Sequence, residues 1–310
     1  SLNDNVFRWF CVLQGMKVES MKASTMSLGL ICFTIPYLLL ASHSAYVADR
    51  FSKRKTIVAC KIAEVIIMAL AVGAMALGGV DEMLGIYLVF AAVFLMGAQS
   101  AMFGPAKFGS IPEIVRSEKI SEANGLMQMV TTAASALGMF AGFVVSSMAD
   151  LSPGDPTIAG LMWPAGSLIS IAALGMVASL FIEPLTPADT ELRPPNPLTE
   201  TVANLRLLVE SRPLFRAALG EAFFWFLASL ATSAITLMGA EVLGLDQIKT
   251  GLLAIALVVG VGTGSVLAGM MSGGKVELGL VPLGASVVLL GALSLYWVTG
   301  DVDPTNPATQ

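Results

Sequence analysis

The stretch "YVADRFSKRK", residues 46–55, gathers Asp49, Arg50, Lys53, Arg54 and Lys55 at the end of a charge-free run of 26 residues, 23–48. A run of that length can cross a membrane as a helix, since about 20 apolar residues rising ~1.5 Å each span a ~30 Å hydrocarbon layer. A burst of positive charge at the end of such a helix holds its loop on the cytoplasmic side. The stretch therefore predicts a membrane helix followed by a cytoplasmic turn, and the rest of the chain either repeats that pattern or refutes it.

The pattern repeats. Further charge-free runs cover residues 83–106, 123–149, 156–182, 222–240, 250–274 and 278–300. Only 13% of the 310 residues are charged and 55% are hydrophobic, against about 25% charged in soluble domains. Glycine, proline and serine inside the runs are compatible with helices in lipid. The chain reads as an all-α polytopic membrane protein with nine spans, at about 1–17, 24–46, 57–79, 84–104, 123–149, 160–182, 214–239, 248–272 and 279–299. Ser1 opens almost inside the first span, so a clipped N-terminus is expected.

Nine crossings alternate the loops between two sides. One set carries twelve Lys and Arg residues, among them Arg50, Lys53, Arg54, Lys55, Lys107 and Arg216, and the other carries Lys17, Lys22 and Lys249. This bias places loops 47–56, 105–122 and 184–212 in the cytoplasm. The net charge of −5 decides little, because sidedness matters more than the sum. Cys11, Cys32 and Cys60 all fall in or beside apolar runs without metal-ligand spacing and read as buried small hydrophobes.

The longest loop contains "EPLTPADTELRPPNPLTE", a proline-rich linker. An amphipathic helix should follow it, with Asn196 as N-cap, Pro197 at the first helical position, and Leu198, Val202, Leu205 and Leu208 on one face. Six spans precede the linker and three follow. The division expected is a six-helix half over 1–183, a linker over 184–212 and a partial second half over 213–310. A shift of 220 residues lays Ala48, Ser52 and Lys55 on Ala268, Ser272 and Lys275, the second span on the eighth, and the third on the ninth. Internal repeats of this kind are common in transporters.

At this point the sequence resembles a known family. "AYVADRFSKRK" looks like the loop between helices two and three of the major facilitator superfamily, G-x-L-A-D-R-x-G-R-R, with Ala45 and Ser52 in place of the two glycines. The resemblance implies that Asp49, Arg50, Lys53 and Arg54 form a conformational latch. In the second copy, "SVLAGMMSGGK", Gly269 and Met270 replace the Asp and Arg, so a latch there is degenerate. "NDN" at 3–5, "FGPAKFGSIPEIV" at 103–115, "EANGLMQM" at 122–129 and "GKVELGLVPLG" at 274–284 together resemble the lysophospholipid transporter branch of that superfamily. That likeness implies twelve helices, so three more are expected beyond Gln310. It also implies movement of lysophospholipids across the bacterial inner membrane, in some members beside fused acyltransferase or synthetase domains.

A charge at mid-bilayer costs about 2.5–3.5 kcal/mol on insertion scales, so each one calls for a reason. Asp4 and Arg8 share a helix face; they either neutralise each other or line a central cavity. Glu221 lies about a turn into the seventh span, paired with Arg216 or facing a substrate. Lys107 ends the fourth span either as a topological anchor or, as the resemblance implies, at the mouth of the path. Lys61 and Glu64 read as snorkelling from a peripheral helix. His43 reads as an ordinary polar residue. "GVGTG" at 260–264 reads as close helix packing, because no strand precedes it, and Gly138 and Gly142 should let the fifth span approach a neighbour.

The function expected is alternating-access transport of lysophospholipids. Asp4 and Glu221 would meet the amine, Arg8 and Lys107 the phosphate, and Phe and Met side chains the tail. The alternatives are a proton-coupled exporter of drugs or small metabolites, or the membrane portion of a lipid-remodelling acyltransferase. The H-x-x-x-x-D signature of such acyltransferases fails at His43, where Ala48 stands at the aspartate position. The partners expected are the lysophospholipid and the bilayer, with no cofactor, metal or nucleic acid, and the protein is expected to be a monomer.

Overall fold

The computed structural model describes residues 2–16, 18, 24–78, 82–117, 120–149, 158–192, 194, 196–272 and 279–299. Among these residues the ordered elements are helical: α1 (Leu2–Gly15), α2 (Thr25–Arg50), α3 (Lys53–Gly78), α4 (Glu82–Gly109), α5 (Ile111–Ile114), α6 (Ile120–Met148), α7 (Ile158–Leu180), α8 (Pro197–Glu210), α9 (Arg212–Leu237), α10 (Gln247–Ser272) and α11 (Leu280–Thr299). Eight of them are long and apolar enough to cross a membrane. Nine spans were expected. The ninth, α1, is described over 14 residues, fewer than the roughly 20 a crossing takes.

The basic turn is tighter than its sequence suggests. α2 runs on through Arg50 and α3 begins at Lys53, so only Phe51 and Ser52 join them. Asp49 therefore sits in the last turn of α2, and Lys53, Arg54 and Lys55 open α3, where the loop 47–56 was expected. α4 likewise continues through Pro105 to Gly109, beyond the expected end at 104. A proline inside a membrane helix is tolerated because neighbouring groups take up the freed carbonyl.

Two compact units are present, Ser1–Trp225 and Phe226–Gln310. In the first, α1 is the buried centre. Val6, Phe7, Phe10 and Cys11 pack with Met68 and Ala71 of α3, Met96 of α4 and Leu168 of α7. α2, α4, α6 and α7 pack around it, so its apolar side chains are buried and its polar ones must find partners within the bundle. Glycines make the approach possible. A Cβ on Gly142 of α6 would stand 2.8 Å from the Val6 carbonyl oxygen and 2.9 Å from Trp9 Cβ, and one on Gly138 would strike the Leu2 carbonyl. The G-x-x-x-G spacing thus sets α6 against α1, as the sequence suggested. Outward faces carry exposed apolar side chains such as Leu38, Leu39, Trp163 and Leu174, the composition of a surface against lipid.

The linker begins against the basic turn. Ala188 and Asp189 each donate a backbone N–H to the Asp49 carbonyl at 3.1 Å, and Arg54 donates to the Leu180 carbonyl at the end of α7 at 3.0 Å. α8 starts at Pro197 as expected and lies against α2. Val202 and Leu205 are exposed and Leu208 is half-buried; the Leu198 side chain lies outside the described residues.

In the second unit, α9 ends in a π-helical turn, Met238–Val242. Gly244, at φ 58°, makes the left-handed bend that a side chain would oppose. Asp246 Oδ1 then accepts from Lys249 N at 2.8 Å, capping α10. Gly260, Gly262 and Gly264 face open space among the described residues. The close packing expected of "GVGTG" is therefore not found, because α10 meets the π-helical turn through its first turn, where Thr250 touches Gly239. α2 and α10 each have 26 residues, and the 220-residue shift aligns their ends to within two positions. The Lys275 end of the second copy lies outside the described residues.

Candidate functional site

One face of α4 organises the polar residues of the first unit. Ser100, Phe103 and Lys107 are spaced i, i+3, i+7 and so stack on one side of the helix. Ser100 Oγ donates to Asp4 Oδ2 of α1 at 2.8 Å. The Phe103 ring lies 4.9 Å beneath the Lys61 ammonium of α3. Lys107 Nζ donates to Thr131 Oγ1 of α6 at 3.0 Å and sits 4.3 Å from the Phe108 ring centre. A single helix face thereby touches charged or polar groups on three neighbours.

Around Asp4 the groups are largely buried and most are hydrogen-bonded, as burial of polar groups requires, while Asn3 Oδ1 is buried without a hydrogen-bond partner among the described residues. Asn3 is 3% exposed and Asp4 6%. Asn3 Nδ2 donates to Glu64 Oε1 at 2.9 Å, and Lys61 Nζ donates to the other carboxylate oxygen at 2.6 Å. Arg8 turns to Asn5 Oδ1 at 3.2 Å instead of pairing with Asp4, and its guanidinium lies 5.6 Å from the Trp9 ring and 5.3 Å from the Phe33 ring. Arg8 and Lys61 both stand within electrostatic reach of Asp4, and Lys107 within reach of Asp4 and Lys61.

The structure thus brings Asp4, Arg8 and Lys107 together in one unit. Glu221 is placed on α9, but its side chain lies outside the described residues. Lys61 and Glu64 correct the sequence reading. They were expected on a peripheral helix, yet the Glu64 side chain is 1% exposed and Lys61 15%, because α4 and α7 pack on α3 and Asn3 of α1 reaches Glu64. Asn3 was seen only as part of the "NDN" motif, and Ser100 carried no recognisable signal as a single polar residue. The i, i+7 relation of Ser100 to Lys107 was the cue available.

The latch residues separate into distinct contacts. Lys53, buried, forms an ion pair with Glu113 of α5. Arg54 caps α7, the Asp49 carbonyl receives the linker, and Arg50 is half-buried. Among the described residues the Asp49 carboxylate itself forms no ion pair.

The family is decided by one match: the Major Facilitator Superfamily model covers residues 10–306. The chain belongs to the Major Facilitator Superfamily. It is a multi-pass membrane protein of that transporter superfamily, with an all-α bundle as its fold. Among curated proteins it is similar to the lysophospholipid transporter LplT of Yersinia pestis (strain Pestoides F), at 26% identity over 239 residues. That alignment takes in 75% of this chain and 53% of the relative. The lysophospholipid transporter LplT of Yersinia pseudotuberculosis serotype I (strain IP32953) matches to the same extent. The chain spans about half the length of the curated relatives it matches.

Proposed function

We propose that this protein carries lysophospholipids across the bacterial inner membrane by alternating access, with Asp4, Arg8 and Lys107 meeting the headgroup. The observation that carries the reading is the buried Asp4 carboxylate, held by Ser100 and flanked by two cations that donate to neutral groups: Arg8 to Asn5 and Lys107 to Thr131. A zwitterionic headgroup has an amine for the acid and a phosphate for the cations. Such charges are costly at membrane depth and typically mark a path for polar cargo.

The similarity to LplT at 26% identity points to the same cargo. Glu221 would add a second acid from α9. Asp49, Arg50, Lys53 and Arg54 would bias the equilibrium between states at the cytoplasmic end, to which segments 47–56, 105–122 and 184–212 are assigned. The protein acts as a monomeric carrier and not as an enzyme. The test is uptake of labelled lysophosphatidylethanolamine by the full-length protein in vesicles, with and without an ionophore. Saturable uptake that survives the ionophore supports the reading. Flux that follows the proton gradient and ignores the lysolipid overturns it in favour of a proton-coupled exporter.

A further inference from the structure

We infer that Lys61 and Glu64 set the headgroup charge preference of this site, with Glu64 masking a third cation that would otherwise face the phosphate. The inference rests on the lysophospholipid reading above. The two residues lie one turn apart on α3, at an Nζ–Oε2 distance of 2.6 Å. The other Glu64 oxygen is taken by Asn3, the chain neighbour of Asp4. Glu64 therefore spends both oxygens on the site and none on solvent.

Lys61 is placed to act on the same ligand as Lys107. Its ammonium lies over the Phe103 ring, one turn from Lys107 along α4. α7 lies alongside it: a Cβ on Gly175 would sit 3.6 Å from Lys61 Nζ, an ordinary contact distance. The pair gives little reason for its presence in stability alone, because a buried ion pair roughly breaks even with apolar residues of similar size. At membrane depth two leucines would do as well. What the pair does supply is charge bookkeeping: Arg8, Lys61 and Lys107 stand against Asp4 and Glu64, leaving one positive charge in excess. That single excess charge sets a modest pull on the phosphate. With Glu64 neutralised the excess becomes two, which shifts the preference further towards an anionic lysolipid.

The experiment is competitive uptake of labelled lysophosphatidylglycerol and lysophosphatidylethanolamine in the same vesicles, read as the ratio of initial rates. The ratio is independent of how much protein is correctly folded, so a merely structural role leaves it unmoved. Glu64→Gln keeps an acceptor for Asn3 but frees Lys61, and should raise the anionic-to-zwitterionic ratio about fivefold or more, as one unit charge acting over several ångströms does in a protein. Lys61→Gln should lower the ratio. The double variant, Lys61→Met with Glu64→Gln, keeps the net charge and should restore the wild-type ratio; it also controls for variants that fail to assemble. A ratio that stays constant across these variants overturns the inference and leaves the lysophospholipid reading standing. A wild-type protein that takes up neither lipid overturns that reading and the inference with it.

Discussion

Ser100 on α4 holds Asp4 on α1 through a 2.8 Å hydrogen bond between two buried side chains. A carboxylate at this depth depends on its donors, and losing one costs about 1–3 kcal/mol. Ser100→Ala should therefore lower the melting midpoint of the purified protein in detergent. It should also weaken lysophospholipid uptake at low substrate by about tenfold, the equivalent of ~1.4 kcal/mol.

Gly142 should tolerate nothing larger. Its Cβ would press on the backbone of α1 at Val6, where no flexible side chain can yield. Gly142→Ala is expected to destabilise the bundle by about 1–3 kcal/mol through overpacking. Gly262→Ala, whose Cβ meets nothing within 4 Å, is expected to be neutral or to stabilise by about 0.5–1 kcal/mol through helix propensity. Paired melting curves of the two variants check both expectations.

Lys53 and Glu113 join the start of α3 to α5. Breaking the pair by Glu113→Ala leaves a buried ammonium beside Gly109, and should cost about 1.5–3 kcal/mol, the range for hydrogen bonds to charged groups. The reversed pair, Lys53→Glu with Glu113→Lys, should recover part of that loss. A double-mutant cycle measured by thermal melting isolates the coupling.

Arg206 and Glu210 on α8 also form an ion pair, at 2.9 Å, but their side chains are 78% and 56% exposed. Water and salt screen such pairs to about 0.3–0.5 kcal/mol. Glu210→Ala should leave melting and transport unchanged within error, in contrast to Glu113→Ala.

The bundle was legible in the sequence because hydropathy works over whole helices: charge-free runs mark most of the long helices, although α3 carries Lys61 and Glu64 and α9 begins at Arg212, well ahead of the run at 222–240. Helix ends were less legible. Lys53, Arg54 and Lys55 look like a loop in any charge count, and only their partners Glu113 and Leu180 explain why they begin a helix. The site was half legible. Asp4, Arg8 and Lys107 stood out as charges in apolar surroundings. Ser100 did not, since a lone serine is ordinary in such helices. Lys61 and Glu64 were misread because their spacing is the same whether a helix faces lipid or protein. Which neighbours cover α3 is a tertiary fact.

The most direct measurement is uptake of labelled lysophosphatidylethanolamine by full-length Asp4→Asn protein, matched to wild type for insertion and melting midpoint. If the Asp4 carboxylate grips the headgroup amine, uptake falls at least about tenfold, as for loss of one charge-assisted contact. Uptake equal to wild type, in protein that is equally inserted and equally stable, would contradict the site.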